Sequence, residues 1–116
     1  MRIEKEFIFD SAHFLPFVAP DHKCRRLHGH TYKVIIGVEG DVGATDWIMD
    51  FADISAAVQP ILQSIDHTLL NAVEGLENPT AENIAEWIFT RAKKVIPLLS
   101  FVNVQEGQSS RVIYPR

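Results

Sequence analysis

The chain predicts an α+β fold: one antiparallel sheet of four strands with two helices on one face, in the order β-β-α-α-β-β. Three observations carry this. Apolar residues alternate with polar ones near the start, then again through a stretch rich in β-branched residues. From Ile54 the period changes to that of a helix. After Pro97 two short extended segments flank Gly107, the pattern of a hairpin.

In "RIEKEFIFDSAHF", Phe7, Phe9 and His13 share one side of a strand. "LPFVAPDHKCRRL" carries two prolines and a charge cluster and reads as a loop. "HGHTYKVIIGVEGDV" is the second strand, with Gly37 marking a bulge and Gly40 the beginning of its end. Apolar positions 54, 57, 58, 61, 62 and 65 define one face of the first helix. Asp53 is its expected N-cap, and Pro60 should kink it because proline lacks the backbone donor. The second helix starts at the cap Thr80 and stops before Pro97. "SFVNVQEG" and "SRVIYP" complete the sheet. Two helices cannot cover both faces of four strands, so the other face calls for a partner, and oligomerisation is the natural supplier.

A chain of 116 residues is expected to be a single domain, 1–116, with an ordinary globular composition of 47% apolar and 22% charged residues. The net charge of −4 gives no general attraction to nucleic acid or anionic membranes. Cys24 is the only cysteine and therefore a free thiol within the chain, which suits a reducing compartment. The acidic residues of "MRIEKEFIFDSAHF" stand where a secretory signal would need an apolar run, and nothing reaches the length of a membrane span. A cytoplasmic location is the expectation.

The chemistry concentrates in "CRRLHGHTY". Residues two apart on a strand face the same way, so His28 and His30 project together, and antiparallel pairing would bring His13 opposite them. Three neutral imidazoles with an open fourth position make a catalytic zinc (Zn2+) site. The competing account, a hydrogen-bonded core histidine beside an unrelated His-x-His pair, leaves the adjacent thiol without a purpose. Cys24 could be the fourth ligand, or a base or nucleophile in the positive surroundings of Lys23, Arg25 and Arg26. Those three cations could bind an anion or simply line a solvated loop. In "SIDHTLLN", Asp66 beside His67 has the wiring of a general acid/base pair, although this motif alone favours an ordinary loop pair with a surface histidine. Glu106 shares a strand face with Val102 and Val104, so it is either buried and in need of N–H donors, or past the strand's end in water.

Taken together, "SAHFLP", "HKCRRLHGHTYKV", "WIMDFADI", "IDHTLLN", "ENPTAENIAEWI" and "VQEG" resemble the 6-pyruvoyl-tetrahydropterin synthase superfamily, and within it the 6-carboxytetrahydropterin synthases of the queuosine pathway. The motifs occur in the family's order across nearly the whole chain. The resemblance implies a tunnelling fold (T-fold), whose subunits form a barrel of strands as a trimer, with two trimers stacked as a hexamer. His13, His28 and His30 match the zinc ligands, one ion per chain, and Cys24 matches the catalytic thiolate base. Asp66 and His67 match the proton relay. Glu106 matches the carboxylate that grips the pterin N–H edge and also joins the relay, and Thr80 lies near a further pterin contact. Lys23, Arg25 and Arg26 are candidates for the triphosphate. One position departs from the pattern: family members often carry threonine after the glutamate, whereas Gly107 stands here.

The implied reaction takes 7,8-dihydroneopterin triphosphate to 6-carboxy-5,6,7,8-tetrahydropterin, acetaldehyde and triphosphate, without a redox cofactor. Only Arg25, Arg26 and Leu27 separate Cys24 from His28, the short gap of the carboxy branch; pyruvoyl-forming relatives usually have a longer one. The alternatives are 6-pyruvoyl-tetrahydropterin as product, a non-catalytic metal or pterin binder on the same fold, and a Cys-His-Asp hydrolase with Cys24 as nucleophile.

Overall fold

A computed structural model describes residues 1–116. The elements are β1 (Arg2–His13), β2 (His28–Glu39), α1 (Phe51–Gln63), α2 (Ala81–Val95), β3 (Leu99–Gln105) and β4 (Val112–Tyr114). The strands form one antiparallel sheet in the order β1-β2-β3-β4. This is the α+β arrangement expected from the sequence, and no helix is long and apolar enough to cross a membrane.

Strand alternation decides which face each residue meets. Phe7, Phe9, Ser11 and His13 of β1 turn inward, as do Tyr32, Val34, Ile36 and Val38 of β2. Ile54, Val58 and Leu62 of α1 and Ile84, Ile88 and Ala92 of α2 close over them. Each large apolar side chain buried this way contributes about 1.5–3 kcal/mol, so this face fixes the register. The opposite face carries no helix: Ile8 is 69% and Ile113 46% exposed, and the only side chains buried there are Phe101 and Asn103.

The bulge falls where Gly37 marked it, between Gly37 and Val38. The physical reason is the Phe101 ring, which lies across this position: a Cβ on Gly37 would sit 1.9 Å from Phe101 Cε1. One helix detail differs from expectation. Asp50, not Asp53, caps α1; its Oδ1 accepts from the Ala52 N–H at 2.9 Å while Asp53 sits in the first turn. Either acid could serve by type, and the extended backbone at Asp50 decides it. Pro60 lies inside α1, which continues to Gln63; its missing N–H leaves the Ala56 carbonyl without its helical partner. Thr80 caps α2 as expected, accepting from the Asn83 N–H at 3.2 Å.

After α1 the chain returns to the outer edge of β1. The His67 N–H donates to the Asp10 carbonyl at 2.6 Å and the Ala12 N–H to the Thr68 carbonyl at 2.9 Å. The buried Ser11 hydroxyl lies within hydrogen-bond distance of the Ile65 and Thr68 carbonyls, which share its one proton, and accepts from the Thr68 N–H at 3.2 Å. These bonds satisfy part of an edge that would otherwise be open.

Candidate metal centre and active site

Register makes the centre. His13 is the direct cross-strand partner of His28, and His30 sits two residues further along the same face opposite Ser11. The candidate ligand atoms of His13, His28 and His30 all lie within 4.8 Å of one another. His13 is 1% exposed and the other two are half-buried, so the group is closed on the helix side and open on the other.

The hydrogen bonds settle the tautomers. His13 Nδ1 lies 2.8 Å from the Pro79 carbonyl and His28 Nδ1 lies 2.7 Å from the Arg26 carbonyl. A carbonyl only accepts, so each Nδ1 carries the proton and each Nε2 presents a lone pair. Those Nε2 atoms face each other at 3.0 Å. Two lone pairs at that distance repel unless a cation lies between them. A proton is a poor choice, because burial above all holds the His13 pKa below its ordinary value, and burial does the same to His30. Zinc bonded to nitrogen at about 2.0–2.1 Å sets neighbouring nitrogens about 3.3 Å apart; the His13–His28 pair stands at 3.0 Å and no pair in the triad exceeds 4.8 Å, so the donor set fits a metal ion. Backbone carbonyls gripping the far nitrogens are the usual outer support of such ligands.

Tyr32 forms the floor. It is fully buried, stacked on Phe9 at 4.7 Å and set edge-on to His13 and His30. Burial first, then the Glu106 charge, pushes its hydroxyl pKa far above the usual phenol range, so it stays protonated.

Cys24 sits in a 3₁₀ turn, Lys23–Arg25, and shares a cavity of about 300 Å³ with Lys23, His28 and His30. The turn is fastened at several points. The Cys24 N–H donates to His22 Nδ1 at 3.0 Å, and the Leu15 N–H to the Cys24 carbonyl at 2.8 Å. Arg25 Nη1 donates to the Val18 carbonyl at 2.7 Å, so this guanidinium partly serves the loop. Arg26 is exposed, and its carbonyl holds the His28 ring. Sequence reasoning missed His22; its place two residues before the cysteine, at a cap position, was the available signal.

Glu106 is not buried within the strand as one reading of the sequence had it. β3 ends at Gln105, and the carboxylate is half-buried with Oε2 4.0 Å from His30 Nε2. It also borders a second cavity of about 340 Å³ that includes Thr80, Glu82, Ser110, Arg111 and the apolar side chains of Leu15, Val104 and Val112. Glu82, Ser110 and Arg111 were not singled out in the sequence. Gly107, beyond the glutamate, has open space around its Cα.

His67 Nδ1 and Asp66 Oδ1 are 2.8 Å apart. The Asp66 carboxyl is held below the usual carboxylate range, first by the Asp10 N–H at 2.9 Å and then by His67. His67 adopts a left-handed backbone (φ 53°), uncommon for a residue with a side chain, and the bond to Asp10 maintains it. Its imidazole is 77% exposed. It opens onto a depression of about 650 Å³ shared with Asp10, Gly29 and Thr31 on the helix-free face. Within one protomer, therefore, His67 and Cys24 line different cavities, although His30 borders both.

Known proteins resemble this chain over nearly its whole length. The family model described as 6-pyruvoyl tetrahydropterin synthase matches residues 2–116. A 6-carboxy-5,6,7,8-tetrahydropterin synthase from Synechocystis is 40% identical, covering 97% of this chain and 91% of the relative. A dihydroneopterin monophosphate aldolase from Pyrococcus furiosus is 36% identical over 77% of this chain and 72% of its own. The solved structure of Caenorhabditis elegans 6-pyruvoyl tetrahydropterin synthase superposes with a TM-score of 0.90 at 25% identity, covering 98% of this chain and 94% of that one. With strand order, histidine triad and family match agreeing from end to end, this chain belongs to the 6-pyruvoyl tetrahydropterin synthase family.

Proposed function

We propose that the chain is a zinc-dependent lyase converting 7,8-dihydroneopterin triphosphate and a water molecule to 6-carboxy-5,6,7,8-tetrahydropterin, acetaldehyde and triphosphate, a step of queuosine biosynthesis. The observation that carries this reading is the meeting of three histidines, each able to offer a nitrogen to one ion, with a thiol that shares a cavity with His28 and His30 and a carboxylate 4.0 Å from His30. The branch rests on the short Cys24–His28 linker and on the Synechocystis relative.

Zinc held by His13, His28 and His30 would supply a Lewis acid that lowers the cost of negative charge on the substrate's side-chain oxygens. Cys24, as thiolate, takes a proton from the substrate side chain. Glu106 accepts the paired N–H donors of the pterin edge, with Thr80 at the far side of the adjoining cavity. Asp66 orients His67, which delivers and removes protons as the side chain breaks. Lys23, Arg25 and Arg26 meet the triphosphate at the mouth. A free thiol at the centre of this chemistry suits the cytoplasm.

The reading includes assembly as a hexamer of two stacked trimers. The helix-free sheet face supports it, and so does the separation of His67 from Cys24 within a protomer, since a neighbour's dyad would complete the cavity. Mixed oligomers of Cys24→Ala and His67→Ala chains should then regain activity that neither variant has alone.

The deciding experiment is mass-spectrometric product analysis after incubation with dihydroneopterin triphosphate. Carboxytetrahydropterin with acetaldehyde is expected; 6-pyruvoyl-tetrahydropterin without acetaldehyde would overturn the branch. A second reading, aldol cleavage of a dihydroneopterin monophosphate, is favoured by the Pyrococcus relative and predicts turnover of the monophosphate instead.

A further inference from the structure

We infer that Asn71 is a positioning residue for the metal centre, its side-chain amide holding the Pro79 carbonyl against His13 Nδ1. The inference rests on the reading of the histidine triad as a zinc site.

Asn71 lies at the middle of a short 3₁₀ turn, Leu70–Ala72, whose first residue is fully buried, so its backbone is placed independently of its side chain. The amide makes three bonds. Its Oδ1 accepts from the Phe14 N–H at 3.0 Å; its Nδ2 donates to the Phe14 carbonyl at 2.8 Å and to the Glu77 carbonyl at 3.3 Å. Phe14 follows His13 directly, and Glu77 precedes by two residues the Pro79 whose carbonyl takes the His13 Nδ1 proton. One side chain thus joins the end of β1 to the segment carrying the acceptor of the buried ligand. Asn83 also fastens that segment, donating to the Asn78 carbonyl at 2.8 Å, but it ties it to α2 and not to β1.

The consequence concerns the ring. With Nδ1 bonded to the Pro79 carbonyl, His13 turns its Nε2 toward His28, where it would meet a metal held by the triad. If the 77–79 segment drifts from β1, the ring loses the bond that sets its tautomer and its direction. Losing the bond partner of a ligating histidine typically weakens metal binding by about 10–100-fold, which bounds what loosening the Pro79 carbonyl through Asn71 can cost. A residue that only ordered the loop would lower stability equally with and without zinc.

The test uses the full chain and zinc alone, with affinity read by competition against a chromophoric chelator and stability by thermal unfolding with and without zinc. Asn71→Ala and Asn71→Asp are compared with wild type. The aspartate keeps the size and the acceptor for the Phe14 N–H but removes both donated bonds, and serves if the alanine variant folds poorly. Both should bind zinc more weakly, by up to about 10–100-fold, and the rise in unfolding midpoint on adding zinc should shrink in step. Wild-type affinity together with an undiminished zinc-dependent rise would overturn the inference. His28→Ala, run alongside, separates the two levels: if it binds zinc as wild type does, the triad reading fails. If it loses zinc while the Asn71 variants keep it, only the role of Asn71 fails.

Discussion

Replacing His22 by alanine tests whether the thiol's position is built or incidental. Nothing about His22 bears on metal binding; its ring accepts from the Cys24 N–H at 3.0 Å and caps the turn that holds the cysteine. Two other bonds on the turn survive the change, Leu15 N–H to the Cys24 carbonyl and Arg25 to the Val18 carbonyl. The loss is therefore one partly exposed hydrogen bond, about 0.5–1.5 kcal/mol. At 25 °C that changes the ratio of ordered to disordered turn by roughly 2- to 12-fold. If the turn is only marginally ordered in the wild type, kcat falls by about that factor, since a thiolate displaced by about 1 Å is already a poor base. His22→Asn should recover most of the loss, because its side-chain oxygen accepts the same N–H. The assay is steady-state turnover at saturating dihydroneopterin triphosphate, with zinc content measured on the same samples. Unchanged kcat in His22→Ala would refute the reasoning, as would zinc loss that accounts for the fall.

Cys24→Ala should keep the zinc and the fold while losing most turnover, because a base is not a ligand; metal loss tracking the cysteine, seen by elemental analysis, would make it the fourth ligand. Glu106→Gln should weaken pterin binding by about 1–3 kcal/mol, read by calorimetry with a product analogue, and equal affinities would remove Glu106 from the ring site. Gly37→Ala should destabilise the chain by about 1–3 kcal/mol in denaturant unfolding, since the added carbon meets the Phe101 ring at 1.9 Å. An unchanged midpoint would mean that Phe101 has room to swing away.

Local pattern by itself determined a good deal of this protein. Period two through Phe7, Phe9 and His13, and again through His28 and His30, commits those side chains to the face that must be buried, whatever the rest of the chain does. Ile54, Val58 and Leu62 likewise commit a helix face, and Thr80 needs only its own next three residues to act as a cap. What the tertiary structure alone decided are the contacts between residues far apart in sequence. The Pro79 carbonyl meets His13 across 66 positions and Asp10 meets Asp66 across 56, and no propensity encodes either distance. The end of β3 was decided the same way. The ladder to β2 stops at Gln105, and the Glu106 carboxylate, on the side of the sheet that carries His30, lies half-buried 4.0 Å from that ring and not among the core side chains. Alternation is a property of each residue and its neighbours, so sequence carries it. A hydrogen bond between distant segments depends on how loops close, and only the packed core brings the two ends within reach.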